Sequence, residues 1–242
     1  LNADIKLRGR VEILASAAEY DAIPVRLCDE ETLSRLAMHA PLKLPSGTRY
    51  NDPHTKVNLL LQHHFARREL GRDLAVDAEA VLERAPRLLQ AMVDVVSSSG
   101  WLGPALAAME LSQMVVQGMW NRDSPLLQLP HFTRELALRC ADAGVEGVFD
   151  VMDMEDADRR ALLGMEGGRL ADVAHACNRY PNVEVAFEVE DADAIGAGDA
   201  VVVLVELTRD DDELEAVPQA HAPRLPGRKE EGGWLVVGHG AA

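Results

Sequence analysis

The stretch RLLQAMVDVVSSSGWLGPALAAMELSQMVVQGMW, Arg87–Trp120, determines the fold class of this chain. Apolar residues recur three and four positions apart on both sides of a Ser-Ser-Ser-Gly-Trp turn, which is the spacing of buried helical faces. Gly100 suits the left-handed end of a first helix, and Pro104 suits the first turn of a second. The second helix, about 104–120, is apolar nearly all round, so we expect it inside a helical bundle.

The residues before this stretch continue the helical pattern. Helical spacing predicts helices over 6–19, 30–40 and 54–70, followed by a long helix that Asp77 caps and that runs to Ser98. Pro86 interrupts the long helix, so either the regular helix begins near Ala85 or it bends at the proline. We favour the bend, because the apolar stripe passes through the proline without a change of phase.

The pattern changes twice in the rest of the chain. Short helices separated by glycines are predicted from residue 133 to 182. The apolar period then falls from 3.6 to 2, and the alternation over 183–189 predicts a strand. A nearly continuous β-branched run predicts a second strand over 200–207, and WLVV is a third candidate over 234–237. A β-sandwich needs about seven strands, so we expect this β-module to be incomplete at its C-terminus.

Composition excludes several classes of function. The 242 residues are 48% hydrophobic, which supports folded cores, and only 4% aromatic, which disfavours a base-stacking surface. The three cysteines form no CxxC pair, which favours a reducing compartment without structural zinc. No secretory signal or membrane-length apolar run is present, so we expect no membrane association.

The net charge of −16 is unevenly distributed along the chain. Residues 1–132 carry a net charge of −2, residues 133–182 carry −4 and residues 183–242 carry −10. The C-terminal third should therefore repel a phosphate backbone. Any contact with nucleic acid is expected in the nearly neutral N-terminal bundle.

No catalytic constellation is recognisable. None of the four lysines follows a glycine, so the chain has no phosphate-binding P-loop. His63 and His64 are adjacent and point about 100° apart on a helix, so with His54 they make a poor metal site; we expect one of the pair to pack and the other to be solvated. Ser97–Gly100 follows a helix rather than a strand, unlike a nucleophile elbow. We predict no catalytic residues, no cofactor and no metal.

Three weaker patterns have simple structural explanations. The acidic residues within 153–158 suit a first helical turn, and Asp210–Glu213 suits a solvated loop. LLGMEGGRLADVA, Leu162–Ala174, loosely fits a phosphate-binding helix-hairpin-helix, but the local negative charge favours a glycine turn between packed helices. Arg84 and Arg87 are the candidate RNA-binding residues, although ordinary surface arginines are the simpler interpretation.

Five segments carry the resemblance of this chain to a known family: NDPHTKVNLLLQ (Asn51–Gln62), Arg87–Trp120, LPHFT (Leu129–Thr133), GVFDVMDMED (Gly147–Asp156) and CNRYPNVE (Cys177–Glu184). They resemble the Sec-63 homology unit that follows the motor domains of certain superfamily 2 RNA helicases. The chain most resembles the C-terminal such unit of the large spliceosomal U5 snRNP helicases. The resemblance covers nearly the whole chain and fails only in the 208–227 loop and the last few residues.

The resemblance implies a three-part organisation. In that family a helical bundle is followed by a helix-loop-helix domain and an immunoglobulin-like or fibronectin-III-like β-sandwich. These parts would correspond to residues 1–132, 133–182 and 183–242, the last as an incomplete sandwich. In an active cassette a long bundle helix lies along the threaded strand as a ratchet. Residues 77–98 match that helix, and Arg87 matches one of its basic positions.

The resemblance also implies a function in pre-mRNA splicing. The family helicases have an ATP-driven N-terminal cassette and a C-terminal cassette that regulates it and docks splicing factors. Pro86 and the neutral Gln90 depart from a straight, basic ratchet. We therefore predict a non-catalytic, nuclear protein-docking and regulatory scaffold whose partners are the other domains of its parent helicase and spliceosomal proteins. The alternative is a ratchet module that contacts single-stranded RNA weakly through Arg84 and Arg87.

Two further alternatives are disfavoured. A unit from the endoplasmic-reticulum translocation factor would be accompanied by transmembrane or J-domain sequence, and neither is recognisable. A free-standing enzyme would need a nucleophile, metal or nucleotide motif.

Overall fold

The computed structural model describes residues 6–196, 198–209 and 219–238, which form two compact units. The first unit comprises the described residues of 1–128 and 219–242, and the second comprises those of 129–218. The described residues are mainly helical, with one small antiparallel sheet late in the chain, in the predicted order of helices before strands. The predicted division into three domains, at residues 132 and 182, stays a prediction, because the helices and the strands of the second unit lie in the same compact unit.

The first unit is a bundle in which one helix, α3 (Pro53–Phe65), is central. Asp52 caps α3 by accepting a hydrogen bond from the Thr55 backbone N–H at 2.7 Å, and nine of the 13 residues of α3 are buried. Such burial on all sides is expected of a helix surrounded by other helices. The helices of this unit are α1 (Leu7–Ala15), α2 (Asp29–Met38), α3 (Pro53–Phe65), α4 (Arg72–Ser98) and α5 (Leu102–Gln117).

The long helix α4 begins five residues before its predicted start. Gly71 precedes it, and Asp77 lies buried inside the helix, so the prediction that Asp77 caps the helix is wrong. Asp is a common capping residue, but here its carboxylate has cationic partners from other parts of the bundle. This carboxylate is therefore part of the bundle interior.

Pro86 lies inside a continuous 27-residue helix. The regular helix does not begin near Ala85, so that alternative is wrong, whereas a bend at the proline stays a prediction. Buried residues on both sides, Leu82 and Leu89 among them, belong to one hydrophobic core. Packing of this face stabilises the helix against the loss of one backbone hydrogen bond at the proline.

The α4–α5 hairpin has a second, smaller core near its turn. Val93 and Val96 of α4 pack with Ala105, Ala108 and Met109 of α5, apart from the main core. The predicted helix pair around the Ser-Ser-Ser-Gly-Trp turn is thus confirmed, with α5 starting at Leu102 and ending at Gln117. Gly100 has the expected positive φ of 72°.

The second unit begins with four short helices. Thr133 caps the first of them by accepting a hydrogen bond from the Leu136 backbone N–H at 3.2 Å. Gly164 and Gly167 have positive φ in the turn between the last two, where a side chain would be strained. The helices are α6 (Arg134–Asp142), α7 (Val148–Asp153), α8 (Asp156–Leu163) and α9 (Gly168–Asn178).

The sheet of the second unit contains two strands among the described residues, β1 (Val183–Val189) and β2 (Val203–Arg209). They pair antiparallel with Val185 opposite Leu207 and Phe187 opposite Val205. Opposite residues share a face, so apolar residues occupy one face and all three glutamates of the strands occupy the other. The apolar face consists of Val183, Val185, Phe187, Val189, Val203, Val205 and Leu207, with Arg209 at its end.

Trp234–Val237 forms no strand, so the predicted third strand is wrong at this position. Residues 219–238 belong to the first unit, where Leu225 is buried in the main core. Aromatic and β-branched residues such as Trp234 and Val236 favour strands, but a strand also needs a hydrogen-bonding partner. The predicted immunoglobulin-like sandwich is not confirmed, and Asp210–Glu213 lies outside the described residues.

Candidate functional site

The exposed face of α4 holds both candidate RNA-binding residues. Arg84 and Arg87 are exposed, and the Arg84 guanidinium donates a hydrogen bond to the Ala80 carbonyl at 2.8 Å within the same helix. Neither guanidinium forms an ion pair with a carboxylate in the part of the chain that the structure describes. Both are therefore accessible to an external anion.

The charges around these arginines are mixed. The exposed charged residues of α4 are three basic and four acidic: Arg72, Asp73, Glu79, Glu83, Arg84, Arg87 and Asp94. Gln90, on the same face as Arg87, donates a hydrogen bond to the Asp94 carboxylate at 2.8 Å. A helix that binds a phosphate backbone is usually enriched in cations along one face. The α4 surface lacks that enrichment.

A buried ion cluster holds α4 in the bundle. The Lys56 side chain is fully buried on α3, and its Nζ lies 2.7 Å from Asp77 Oδ2 and 2.5 Å from Asp29 Oδ2. Arg26 completes the cluster through bonds from both terminal nitrogens to the Asp77 carboxylate. The Pro24 carbonyl accepts a further bond from Lys56 at 2.6 Å. Two cations thus balance two carboxylates within the bundle.

The cluster controls the ionisation of its carboxylates. Burial by itself raises the pKa of Asp77, but hydrogen bonds from Arg26 and Lys56 outweigh it and hold the pKa below its ordinary value. Burial likewise raises the pKa of Asp29, and the bonds from Lys56 and the Arg26 backbone N–H lower it further than burial raises it. Sequence reasoning missed this cluster. The one available signal was the position of Lys56, a charged residue beside the apolar face of α3, where burial would require a carboxylate partner.

The three histidines have separate structural partners. His63 is buried and bonds to the Leu59 carbonyl at 3.0 Å, while His64 Nε2 donates to the Val115 carbonyl on α5 at 2.7 Å. Burial lowers the pKa of His64 to about 4, with a smaller contribution from Arg224. Both adjacent histidines therefore pack, and the prediction that one is solvated is wrong.

No metal-binding group of three or more ligands occurs among the described residues. His54 bonds to the Ala15 carbonyl and pairs with Asp21 at 3.0 Å, so it shares no partner with His63 or His64. The prediction for the acidic segment is confirmed for Asp156 and Asp158, which lie in the first turn of α8, and is wrong for Asp153, which is the last residue of α7. Asp156 also accepts a hydrogen bond from Arg159 at 2.7 Å.

The two remaining patterns have the predicted structural roles. The glycine-rich segment is a turn between α8 and α9, and Arg139 donates to the Leu163 carbonyl at the end of α8. Ser98 and Ser99 follow the expected helix-end geometry, since both hydroxyls donate to the Val95 carbonyl. No described helix combines the length and apolar character needed to span a bilayer.

Comparison with known proteins decides the family. The Sec63 Brl domain family matches residues 1–242 of the chain. The chain belongs to the Sec63 Brl domain family. This Sec63 domain is 53% identical over 238 residues to the human U5 small nuclear ribonucleoprotein 200 kDa helicase. It is 50% identical to the Drosophila melanogaster protein of the same name and 42% identical to the pre-mRNA-splicing factor brr2 of Schizosaccharomyces pombe.

The similarity covers 98% of the Sec63 domain but only 11% of the length of each of these relatives. The matched region is the Sec63 domain, and no catalytic helicase domain is in this chain. The resemblance given by the five sequence segments is therefore confirmed at the level of the family and of the U5 helicase relatives. Arg84 and Arg87 lie on α4 of this Sec63 domain.

Proposed function

We propose that this Sec63 domain is a non-catalytic protein-docking and regulatory module of a spliceosomal RNA helicase that acts in pre-mRNA splicing in the nucleus. Its relatives are named as a helicase of the U5 small nuclear ribonucleoprotein and as a pre-mRNA-splicing factor. Its partners in this proposal are the other domains of the parent helicase and spliceosomal proteins. The C-terminal cassette of such a helicase is the proposed location.

The observation that carries the proposal is the mixed charge of α4. Four exposed carboxylates accompany three exposed basic residues on this helix, and two of these carboxylates, Glu83 and Asp94, are four and seven positions from Arg87. Residues four and seven positions apart lie on the same helical face, so a phosphate beside Arg87 would also meet negative charge. This electrostatic surface favours protein partners over an RNA backbone.

We further propose that the β1–β2 ribbon contributes to an immunoglobulin-like sandwich. The β1–β2 ribbon has one nearly all-apolar face, on which Phe187 is 74% exposed and Val185 is 60% exposed. Sandwiches bury such a face against a second sheet about 10 Å away. A ribbon of two strands is marginally stable alone, which supports a covered state in the parent helicase.

A second candidate function is an RNA-contacting ratchet. One observation favours it, namely that Arg84 and Arg87 are exposed and make no ion pair among the described residues. They lie three positions apart, so both guanidinium groups can reach one phosphate backbone. This candidate predicts binding that weakens steeply as salt is raised.

Fluorescence anisotropy of a labelled single-stranded oligouridylate separates the two functions. The chain would be titrated at low and at physiological salt, beside Arg84→Glu/Arg87→Glu and the charge-matched control Arg35→Glu/Arg72→Glu. We expect a Kd of about 100 µM or weaker at physiological salt, at or beyond the weak limit of non-specific binding, with equal effects of both double variants. Micromolar binding lost only in Arg84→Glu/Arg87→Glu would establish the ratchet instead.

A further inference from the structure

The second unit contains an open cleft between α7, α8 and α9, with a volume of about 1030 Å³. Its lining is of mixed polarity with a modest excess of apolar surface, and the buried side chains of Val151, Met165 and Val173 form part of it. Met152, which is 38% exposed, adds a flexible apolar wall. Clefts of this size are large enough for several side chains of a bound ligand.

The cleft is the positive part of an acidic unit. Its lining includes three of the six arginines of residues 133–182, together with only two of their ten carboxylates. The lining therefore carries a net charge of +1, whereas the other residues of this range carry −5. A negatively charged ligand is repelled by most of this unit and is attracted at the cleft.

One of these arginines is structural. Arg159 donates to the Val151, Met152 and Met154 carbonyls and to Asp156, so its guanidinium is fully engaged in holding α7 against α8. Arg160 and Arg169 are exposed and form no ion pair among the residues that the structure describes. These two guanidinium groups can therefore pair with carboxylates of a ligand at the rim.

The lining also indicates the class of ligand. It contains no Phe, Tyr or Trp, so it offers no aromatic surface for stacking the bases of single-stranded RNA. Met152 and Met165 provide adaptable apolar contacts of the kind found where peptide side chains are bound. An apolar floor with a cationic rim complements a bulky apolar side chain that has carboxylates beside it.

We infer that the cleft between α7, α8 and α9 is a docking site for a short peptide with a bulky apolar anchor flanked by acidic residues. The anchor fills the space above Val151, Met165 and Val173, and the acidic flanks pair with Arg160 and Arg169. This inference rests on the proposed protein-docking function and gives that function a specific surface.

A displayed library of random dodecapeptides, selected against the whole 242-residue chain, tests the inference. Enriched peptides would be synthesised with a fluorescent label and titrated against the chain and its variants by anisotropy. We expect them to share a Leu, Met or Phe anchor and to carry at least two acidic residues. Absence of enrichment, or enrichment of basic peptides, would overturn the inference.

Two variants place the binding in the cleft. Ala174→Trp fills it from an exposed position of α9, and Arg160→Glu/Arg169→Glu reverses the charge of its rim. We expect each to raise Kd about tenfold or more, while the charge-matched Arg35→Glu/Arg72→Glu changes Kd less than about twofold. Equal binding by all variants would exclude the cleft. Thermal unfolding followed by circular dichroism verifies that each variant is folded.

The same variants distinguish failure of this inference from failure of the proposed function. Suppose that Ala174→Trp retains spliceosomal proteins from nuclear extract as well as the unmodified chain does, and that it binds the selected peptides with the same Kd. Docking then uses another surface, and the inference is wrong. If the unmodified chain retains none, the proposed docking function is wrong. Binding of oligouridylate that is lost only in Arg160→Glu/Arg169→Glu would make the cleft a nucleic-acid site and would also overturn the inference.

Discussion

Replacement of Lys56 by methionine tests the role of the buried ion cluster in the stability of the first unit. The Lys56 side chain has no exposed surface, and the Asp29 and Asp77 side chains are only 5% and 4% exposed. Removing one partner of a buried ion pair costs about 3–5 kcal/mol, because the remaining charge loses its compensation. Arg26 still bonds to Asp77, so we expect a loss near the lower limit, about 3 kcal/mol.

Intrinsic tryptophan fluorescence makes this loss measurable in the presence of the second unit. All three tryptophans, Trp101, Trp120 and Trp234, belong to the first unit, so their emission in urea reports its unfolding. For a unit of this size, about 3 kcal/mol corresponds to a fall in Tm of roughly 6–12 °C. Circular dichroism at the same urea concentrations would follow both units together.

Lys43→Met is the matched control, since Lys43 is exposed and its Nζ only donates to the Met38 carbonyl at 3.0 Å. We expect this control to change the free energy of unfolding by less than about 0.5 kcal/mol. The reasoning would be refuted if Lys56→Met lost less than about 1 kcal/mol, or no more than the control. Either result would mean that the cluster contributes no more than an exposed ion pair.

Three further predictions concern other parts of the first unit. The pKa of His64 is about 4 in the folded chain and 6.5 when the residue is exposed, so the free energy of unfolding should fall by about 2–3 kcal/mol as pH drops from 6.5 to 4. His64→Gln should flatten this dependence of the unfolding free energy on pH in urea titrations, and an unchanged dependence would contradict the lowered pKa. Gly118→Ala should cost about 1–2 kcal/mol in the same assay, because φ is 57° and the new Cβ would lie 3.0 Å from Arg224 and His64; an unaffected midpoint would exclude that packing. Arg87→Glu should change the free energy of unfolding by no more than about 0.5 kcal/mol, and a larger loss of stability would place Arg87 in a buried network.

Local patterns predicted the regular elements well. β1 begins and ends at the predicted residues, and the helix pair around Gly100 follows its apolar spacing and its glycine stop. These features depend on residues near one another in sequence, such as the alternation in VEVAFEV and the stripe through Pro86. They can therefore be obtained without knowledge of tertiary contacts.

Features that depend on distant partners were missed. Asp77 has the residue type of a helix cap, and its true partner Lys56 lies 21 residues earlier on another helix. His64 is a polar residue type that is often found at the surface, but the Val115 carbonyl on α5 provides a buried acceptor for its side chain. The segment Trp234–Val237 is a short apolar run of the kind found in strands, yet it pairs with no strand in the part of the chain that the structure describes. In each case the contact that decides the outcome is made across the fold.

The candidate interaction surfaces show the same division. The exposure of Arg84 and Arg87 follows from their position opposite the apolar stripe of α4, so the sequence was sufficient to predict it. The cleft in the second unit is formed by three helices, and its arginines are spread over residues 159–169. No local motif marks their convergence on a shared apolar floor.

Affinity capture with and without ribonuclease tests the central proposal most directly. The chain would be immobilised in nuclear extract, and retained proteins would be quantified by mass spectrometry beside Arg84→Glu/Arg87→Glu and Arg35→Glu/Arg72→Glu. A protein-docking module predicts that spliceosomal proteins are retained equally after ribonuclease digestion and by both double variants. Loss of these proteins after digestion, together with their loss in Arg84→Glu/Arg87→Glu alone, would contradict the proposal and support an RNA-binding ratchet.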